Sequence, residues 1–554
     1  MLTFRTAALP AIVIFLLCVG IGLTFVLPVY TDEVAYKIFL ERYFITGGFR
    51  QGVAPFCEGA FLVAPSLLLL PGAVFWSVIS KFGGSYLSYR MLPCLALAAS
   101  CFAIAVINIR KENKTFWPLL LLVTFGPPLY SLVLLRPEIF ILCSCLALYM
   151  LGQSMLACEK TWLLFLKAFG ALLIFSICIY LHPKALYVLA LLCGVIFLPM
   201  RNVRGCWHKI IYGVLFLSLT IALTAQALSF HSKEFIECRT APSVQKLVEA
   251  NMALQAVNPL DLLFNRGRFI NNLQLGLDDE AFNRMSRGLS YANSYDASFL
   301  PPGELDDLGA FANFIIKCVA LFFALYIAIK TCACLIFLKN PDERRQFYLT
   351  GLAVLSLALP FFFNITRHFY EEAYLFGALT VMAGLVWPFR VAPFGLYALY
   401  GTRTLTTIMI LVSILCLSIS GIRFTPAFLR GYEGRSISYR TDRKHIDEMI
   451  HRALSQLSIS EEEPLIVDDL TYDALRNHRF VLPITAWNFI TGVPGAVSHY
   501  SFEYGAHYGV ARCKDVEGTF TNRVPYVMKA MIANTKFSDE GTPVENNICV
   551  FELR

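Results

Sequence analysis

The sequence predicts a polytopic α-helical membrane protein with about eleven transmembrane helices, outward-facing interfacial helices and a small α/β soluble domain at its carboxyl end. Hydrophobic residues make up 57% of the 554 residues, and charged residues make up only 15%. The mean hydropathy is +0.60, and this composition is typical of membrane proteins rather than soluble ones. The formal net charge of +7 is attributed to loops on the cytoplasmic face, where membrane proteins concentrate Lys and Arg. No nucleic-acid partner is expected.

Apolar runs of transmembrane length predict the helices. A further apolar run, 61–80, contains Pro65 and Pro71, and we interpret it as a non-spanning segment along the interface. The first run resembles a signal peptide in its basic start, but its length and the lack of a small-x-small cleavage site favour a retained helix. The predicted spans are 7–28, 90–108, 115–135, 139–157, 162–181, 184–200, 210–229, 311–337, 347–365, 369–387 and 404–422.

The positive-inside rule sets the orientation. With 61–80 outside the membrane, the short basic loops fall on one face, which we take as cytoplasmic together with the amino terminus. The loops 29–89 and 230–310 and the tail after residue 422 then face outward. The basic residues assigned to the cytoplasmic face are Arg5, Arg110, Lys111, Lys114, Lys160, Arg201, Arg204, Lys209, Lys339, Arg344, Arg345, Arg390 and Arg403.

The carboxyl-terminal part differs in composition and predicts a separate domain. We place a transmembrane catalytic domain at 1–422 and an extracytoplasmic soluble domain at 423–554. Apolar runs predict a strand at 464–468, a short helix at 471–478 and a strand at 547–552. Cys57, Cys238, Cys513 and Cys549 lie in polar stretches, unlike most of the cysteines, and a disulfide between Cys513 and Cys549 is conceivable on an oxidising face, although the sequence does not give the connectivity.

Four polar clusters recur where apolar runs end on the outward face. They are Asp32-Glu33, the pair Arg136 and Glu138, the pair His182 and Lys184, and Arg367-His368. Ionisable residues at these positions of a membrane protein indicate a functional site. Structural roles explain the same residues: the carboxylates cap helices, Arg136 and Glu138 form a surface ion pair, and Lys184 extends to the interface.

The residue types in the clusters suit a phosphate-bearing lipid. Arg136, Lys184 and Arg367 supply charge-assisted donors for phosphate oxygens. A carboxylate beside them is able to take a proton from an attacking hydroxyl group. Transfer of a sugar from a polyprenyl phosphate to an acceptor needs both parts.

The arrangement of these motifs resembles the GT-C superfamily of membrane glycosyltransferases. The residues that carry the resemblance are the acidic pair Asp32-Glu33 after the first helix, the interfacial run 61–80, the Arg-led helix start Tyr89-Arg90-Met91-Leu92, and Arg367-His368-Phe369-Tyr370. Within the superfamily the pattern is similar to the protein O-mannosyltransferases and the lipid A aminoarabinose transferases.

The resemblance implies an inverting reaction with Asp32 as general base. Glu33 shares that role, binds the acceptor or helps to hold a divalent cation, for which Asp32, Glu33 and Glu138 are the candidate ligands. Glu138 matches the second acid of the superfamily. The implied substrate-binding residues are Arg136, Glu138, His182, Lys184, Arg367, His368 and Tyr370.

The implied partners are a polyprenyl-phosphate sugar donor, the lipid bilayer and an extracytoplasmic glycan, lipid or protein acceptor. The bacterial inner membrane, with a periplasmic active site, is the expected location. Two other functions remain open: a secondary transporter, which would carry charges near the membrane midplane, and a non-catalytic partner in sugar-polymer export.

Overall fold

The computed structural model shows a helical part followed by a small mixed sheet. The residues that the structure describes are 2–25, 90–111, 113, 115–125, 137–181, 183–239, 302–363, 371–389, 398–429, 443–467, 471–475, 478, 481–483, 506–513, 516–517, 526–532 and 547–553.

The helical part consists of long apolar α-helices and short 3-10 helices. Its described elements are α1 (Leu2–Thr24), α2 (Met91–Arg110), the 3-10 helix η1 (Trp117–Thr124), α3 (Pro137–Leu156), α4 (Thr161–Leu181), η2 (Pro183–Val188), α5 (Leu189–Phe197), η3 (Leu198–Asn202), α6 (Cys206–Arg239), α7 (Pro302–Phe337), α8 (Pro341–Phe363), α9 (Glu371–Val386) and α10 (Ala398–Leu429).

Seven helices among the described residues are long and apolar enough to cross a membrane, as expected of a multi-pass membrane protein. Ala8–Thr24 and Leu375–Val386 are shorter apolar helices. The predicted total of about eleven spans therefore stays a prediction. The seven candidate spans are Met91–Arg110, Ile139–Leu156, Thr161–Tyr180, Ala185–Asn202, Cys206–Ser229, Asp307–Phe337 and Thr404–Ile422.

Two predicted helices have a different local structure from the continuous α-helix expected. The described part of 115–135 forms the 3-10 helix η1, and 184–200 divides into η2, α5 and η3. Pro199 explains why α5 ends, since proline lacks a backbone donor and clashes with the preceding turn of an α-helix; Pro118 lies in the first turn of η1, where an α-helix tolerates proline, so it does not explain that 3-10 helix. Pro118 lies at the start of η1 and Pro199 at the start of η3.

The membrane core encloses η1 almost completely. Its residues from Pro118 to Thr124 are buried, and it packs against α1, α9 and α10. The hydroxyl groups of Thr124 and Ser413 form a hydrogen bond of 2.7 Å. A hydrogen bond between side chains satisfies groups that find no water in a bilayer, so it ties η1 to α10.

The carboxyl-terminal part forms a five-stranded sheet with the order β2-β1-β3-β5-β4. Its first three strands are parallel, while β5 is antiparallel to both β3 and β4. The predicted strands at 464–468 and 547–552 correspond to β1 and β5, and the predicted short helix corresponds to α12. The elements are α11 (Arg443–Gln456), β1 (Leu465–Val467), α12 (Tyr472–Leu475), β2 (Val481–Pro483), β3 (Tyr508–Arg512), β4 (Tyr526–Ile532) and β5 (Ile548–Leu553).

One face of this sheet packs against α11. Ile450 and Leu454 of α11 share a buried cluster with Val467, Val510 and Val550. This packing explains the amphipathic pattern of α11, because its apolar side faces the sheet and its polar side faces away. The unit has its own hydrophobic core, which an independently folding domain requires.

A disulfide joins Cys513, directly after β3, to Cys549 of β5. The bond closes a loop with a sequence separation of 36 residues, and a bond of this kind contributes about 2–4 kcal/mol to stability. Disulfides form and persist in oxidising compartments. The outward location of the sheet stays a prediction, which such a bond would suit.

We expect this bond to form in the cell. Reduction of the denatured, alkylated protein should release two more thiols from the unsubstituted chain than from the double variant Cys513→Ala/Cys549→Ala. Mass spectrometry after a second alkylation counts the released thiols. Equal counts for the two proteins would show that the cysteines stay reduced and would remove this argument for an oxidising compartment.

Candidate functional site

Most of the predicted site residues lie outside the residues that the structure describes. This applies to Asp32, Glu33, Arg136, His182, Arg367, His368 and Tyr370. Only backbone positions are described for Glu138, in the first turn of α3, and for Lys184, near the start of η2. The candidate site is therefore located through the described helix ends that flank the four clusters.

The carboxyl end of α1 lies against the amino end of α2. The Arg90 guanidinium donates a hydrogen bond through Nη1 to the carbonyl oxygen of Thr24. The Thr24 hydroxyl lies 3.6 Å from Sγ of Cys94. Asp32 and Glu33 belong to the segment that leaves the membrane part at this junction.

The first halves of the helices α2 and α3 pack against each other. Ser100 and Cys143, both in the first half of their helices, lie 3.0 Å apart, and the Cys143 thiol also donates to the carbonyl of Ala96. One predicted span, 115–135, lies between α2 and α3, and successive spans alternate in direction, so we expect the amino end of α3, with Pro137 and Glu138, at the same end as Arg90.

The helix α8 runs in the opposite direction to α3. The hydroxyls of Tyr149, in the second half of α3, and Thr350, in the first half of α8, are 3.0 Å apart. Ser356, near the carboxyl end of α8, accepts a hydrogen bond from the backbone of Leu191 at the start of α5. The end of α8, which precedes Arg367, is thus at the same end as η2.

The helix α9 is parallel to α2. The Asn108 amide near the end of α2 donates to the carbonyl of Gly384 near the end of α9 at 3.0 Å. The two helices approach closely there, since a methyl group at Gly384 would lie 2.6 Å from Cγ2 of Ile104. The amino end of α9, which follows Tyr370, is accordingly level with Arg90.

These contacts, together with the alternation of the predicted spans, put the helix ends beside all four clusters on one side of the helical part, which we call the cluster end. Because α3 and α4 form an antiparallel hairpin with a short connection, the end of α4 before His182 lies there too. The cluster end is defined by Thr24, Arg90, Pro137, Leu181, Pro183, Phe363 and Glu371.

The carboxyl-terminal tail also leaves from the cluster end. Gly421, towards the end of α10, faces Leu23 at the end of α1, and a methyl group there would lie 3.8 Å from Cδ2 of Leu23. The sheet with its disulfide follows α10 in the chain. The predicted outward location of the sheet therefore goes with the cluster end.

The opposite side of the helical part, which we call the basic end, is defined by Arg110, Lys111, Lys160, Arg204 and Arg344. Lys111 Nζ donates to Oε1 of Gln346 at 3.2 Å and lies 4.1 Å from the ring centroid of Phe389. Burial lowers the pKa of Lys111, and the negative charge of Glu343 opposes that shift. These contacts join the end of α2 to the start of α8 and to Phe389, which follows α9.

A buried lysine near the basic end escaped the sequence analysis. Lys330 is 9% exposed, and its Nζ donates to the hydroxyl of Tyr326 and to the carbonyl of Trp387, each at 2.8 Å. The available signal was a charge within the apolar run 311–337, which contains Lys317 and Lys330. Because the cation meets the carboxyl end of α9, its interaction with the helix dipole is favourable, and it links α7 to α9.

A metal site is not found among the described residues, where no group of three or more His, Cys, Asp or Glu side chains could hold an ion. The candidate ligands Asp32 and Glu33 are outside those residues, and the side chain of Glu138 is not described. Metal binding at the cluster end therefore stays a prediction.

Comparisons with known proteins found structural likenesses but no family model and no curated relative. Among solved structures, the Archaeoglobus fulgidus oligosaccharyltransferase in complex with Zn and sulfate aligns with a TM-score of 0.47 and 12% sequence identity. The alignment covers 91% of this chain and 68% of that chain. A TM-score below 0.5 is too low to carry a conclusion about function.

Proposed function

We propose that the protein is a membrane glycosyltransferase that moves a sugar from a polyprenyl-phosphate donor to an extracytoplasmic acceptor. The observation that carries the proposal is the common location of the helix ends beside the four polar clusters. The predicted site residues come from separate parts of the sequence, and each cluster lies next to a helix end on the same side of the helical part. A site that takes a lipid headgroup at the membrane surface needs that arrangement.

The chemistry follows from the residue types of the clusters. Asp32 acts as general base and removes the proton from the acceptor hydroxyl as that hydroxyl attacks the anomeric carbon of the sugar. The bond between that carbon and the phosphate oxygen breaks, the configuration inverts, and polyprenyl phosphate leaves as an anion. Arg136, Lys184 and Arg367 stabilise the negative charge of the leaving phosphate.

The orientation of the site rests on two observations. The tail, which carries the Cys513–Cys549 disulfide, follows a helix that ends at the cluster end. Basic residues define the other end, which suits the cytoplasmic face. We therefore propose that the site acts on the periplasmic side of a bacterial inner membrane.

The proposed phosphate contacts predict a selective loss of donor binding. Arg367→Ala and Lys184→Ala each remove a charge-assisted hydrogen bond of about 1.5–3 kcal/mol, so we expect the Kd for a polyprenyl-phosphate sugar to rise about ten- to hundredfold. Acceptor affinity should change little. Titration of the purified protein in lipid nanodiscs measures both.

Arg344→Ala is the matched control, because it removes an exposed arginine at the basic end. We expect its donor affinity to equal that of the unsubstituted protein. A comparable loss of donor and acceptor binding in Arg367→Ala and Lys184→Ala, or an equal loss in Arg344→Ala, would contradict a phosphate-binding role.

A further inference from the structure

A fully buried arginine lies at the cluster end, at the junction between α1 and α2. Arg90 has 0% exposure and is among the largest fully buried side chains of the described residues. Burial of a guanidinium group is costly unless the charge is paired or hydrogen-bonded. A specific role at this junction accounts for its presence.

The electrostatics of its own helix disfavour Arg90. It occupies the N-cap position of α2 and makes no side-chain capping hydrogen bond to that helix. The amino end of a helix carries a partial positive charge, so a cation there is repelled. The local sequence therefore gives no reason for an arginine at this position.

The carboxyl end of α1 supplies the reason. Thr24 is the last residue of α1, and its carbonyl lacks a partner within the helix. Arg90 donates to that carbonyl, and the negative end of the α1 dipole favours the cation. Thr24 is itself fully buried, and its hydroxyl donates to the carbonyl of Ile21 at 2.6 Å.

The contact between Arg90 and Thr24 joins the two ends of one chain segment. Thr24 ends the helix before Asp32 and Glu33, and Arg90 precedes the helix after them. A fixed distance between the ends of a loop restricts the conformations that the loop adopts.

We propose that Arg90 is a positioning residue for the transferase reaction: it holds the ends of α1 and α2 together and so fixes where the segment with the catalytic carboxylate begins and finishes. This role rests on the proposed function. It also separates Arg90 from the phosphate-binding residues, because its guanidinium is occupied by the protein backbone and is closed to solvent.

The test compares Arg90→Gln and Arg90→Lys with the unsubstituted protein in lipid nanodiscs. Arg110→Gln is the matched control, because it removes an arginine from the opposite end of the same helix. For each protein, kcat, the KM for the donor and the stoichiometry of donor binding are measured. Hydrogen exchange at residues 21–25 reports on the last turn of α1.

We expect Arg90→Gln to lower kcat about a hundredfold, the usual effect of a misplacement of about 1 Å at a catalytic group. The donor stoichiometry and KM should be retained, exchange at the end of α1 should accelerate, and Arg90→Lys should recover part of kcat. Arg110→Gln should behave as the unsubstituted protein does.

Two results would overturn this role while the proposed function stands. One is an unchanged kcat in Arg90→Gln. The other is a fall in donor stoichiometry in proportion to kcat, which would show a loss of folded protein and not a displaced carboxylate. Absence of transfer by the unsubstituted protein would overturn the proposed function itself, and this role of Arg90 with it.

Discussion

Asp32→Asn is expected to lower kcat for sugar transfer by about 10²–10⁴-fold, the usual contribution of a general base. The carboxamide keeps the shape of the side chain but does not accept a proton at neutral pH. Donor affinity should be retained, since the base acts on the acceptor hydroxyl. Steady-state transfer from a polyprenyl-phosphate sugar, with donor binding measured on the same samples, checks both expectations.

Asp307→Asn is the control for this substitution. Asp307 is an exposed aspartate near the start of α7, so the same chemical change there should leave kcat unaltered. If Asp32→Asn keeps appreciable turnover, Asp32 is not the base. If Asp307→Asn loses as much activity as Asp32→Asn, the effect comes from surface charge and not from catalysis.

The largest expected effect on stability is at the close approach of α2 and α9. A methyl group at Gly384 would lie 2.6 Å from Cγ2 of Ile104, and the β-branched isoleucine has little freedom to move away. Gly384→Ala should therefore force the helices apart and weaken the hydrogen bond from Asn108 to the carbonyl of Gly384. Overpacking of this kind costs about 1–3 kcal/mol.

Gly351→Ala isolates this cost. Gly351 lies in α8, and a methyl group there would meet nothing within 4 Å. Both substitutions gain the same helix propensity of about 1 kcal/mol, so the difference between the two variants measures the clash alone. Reversible unfolding in mixed micelles gives that difference, and equal stabilities would contradict the close packing of α2 against α9.

Local patterns in the sequence were sufficient for much of the fold. Apolar length alone predicted the helices that include Met91–Arg110 and Thr404–Ile422. A bilayer offers no hydrogen-bond partners, so a segment that spans it forms a helix, in which the backbone groups bond to one another. The strands β1 and β5 followed from short apolar runs between polar ones. The disulfide pair was one of several that four cysteines in polar stretches allow, and the sequence did not select it.

Other features depend on contacts between distant parts of the chain. Asn108 and Gly384 are 276 residues apart in the sequence, and no local sequence pattern predicts their hydrogen bond. The burial of Arg90 depends in the same way on α1. The 3-10 helix η1 was missed because the length of an apolar run does not distinguish a 3-10 helix from an α-helix.

The candidate site was predicted as a set of chain positions, and the structure supports a common side of the membrane for the helix ends around them. The positions of the basic loops along the sequence were enough to predict that common side, since Lys and Arg mark the cytoplasmic loops and successive spans cross the membrane in opposite directions. Distances between the side chains of Asp32, Glu138 and Arg367 depend on how their segments fold, which residue patterns do not specify. Their roles therefore stay predictions.

The most direct test of a glycosyltransferase function is the release of polyprenyl phosphate. The purified full-length protein in lipid is given a panel of polyprenyl-phosphate sugars and candidate acceptors, and the freed lipid phosphate is quantified by mass spectrometry. We expect release from one class of donor, coupled one-to-one to glycosylated acceptor and lost in Asp32→Asn. No release from any donor by a folded protein would contradict the account and favour transport or a non-catalytic role in export.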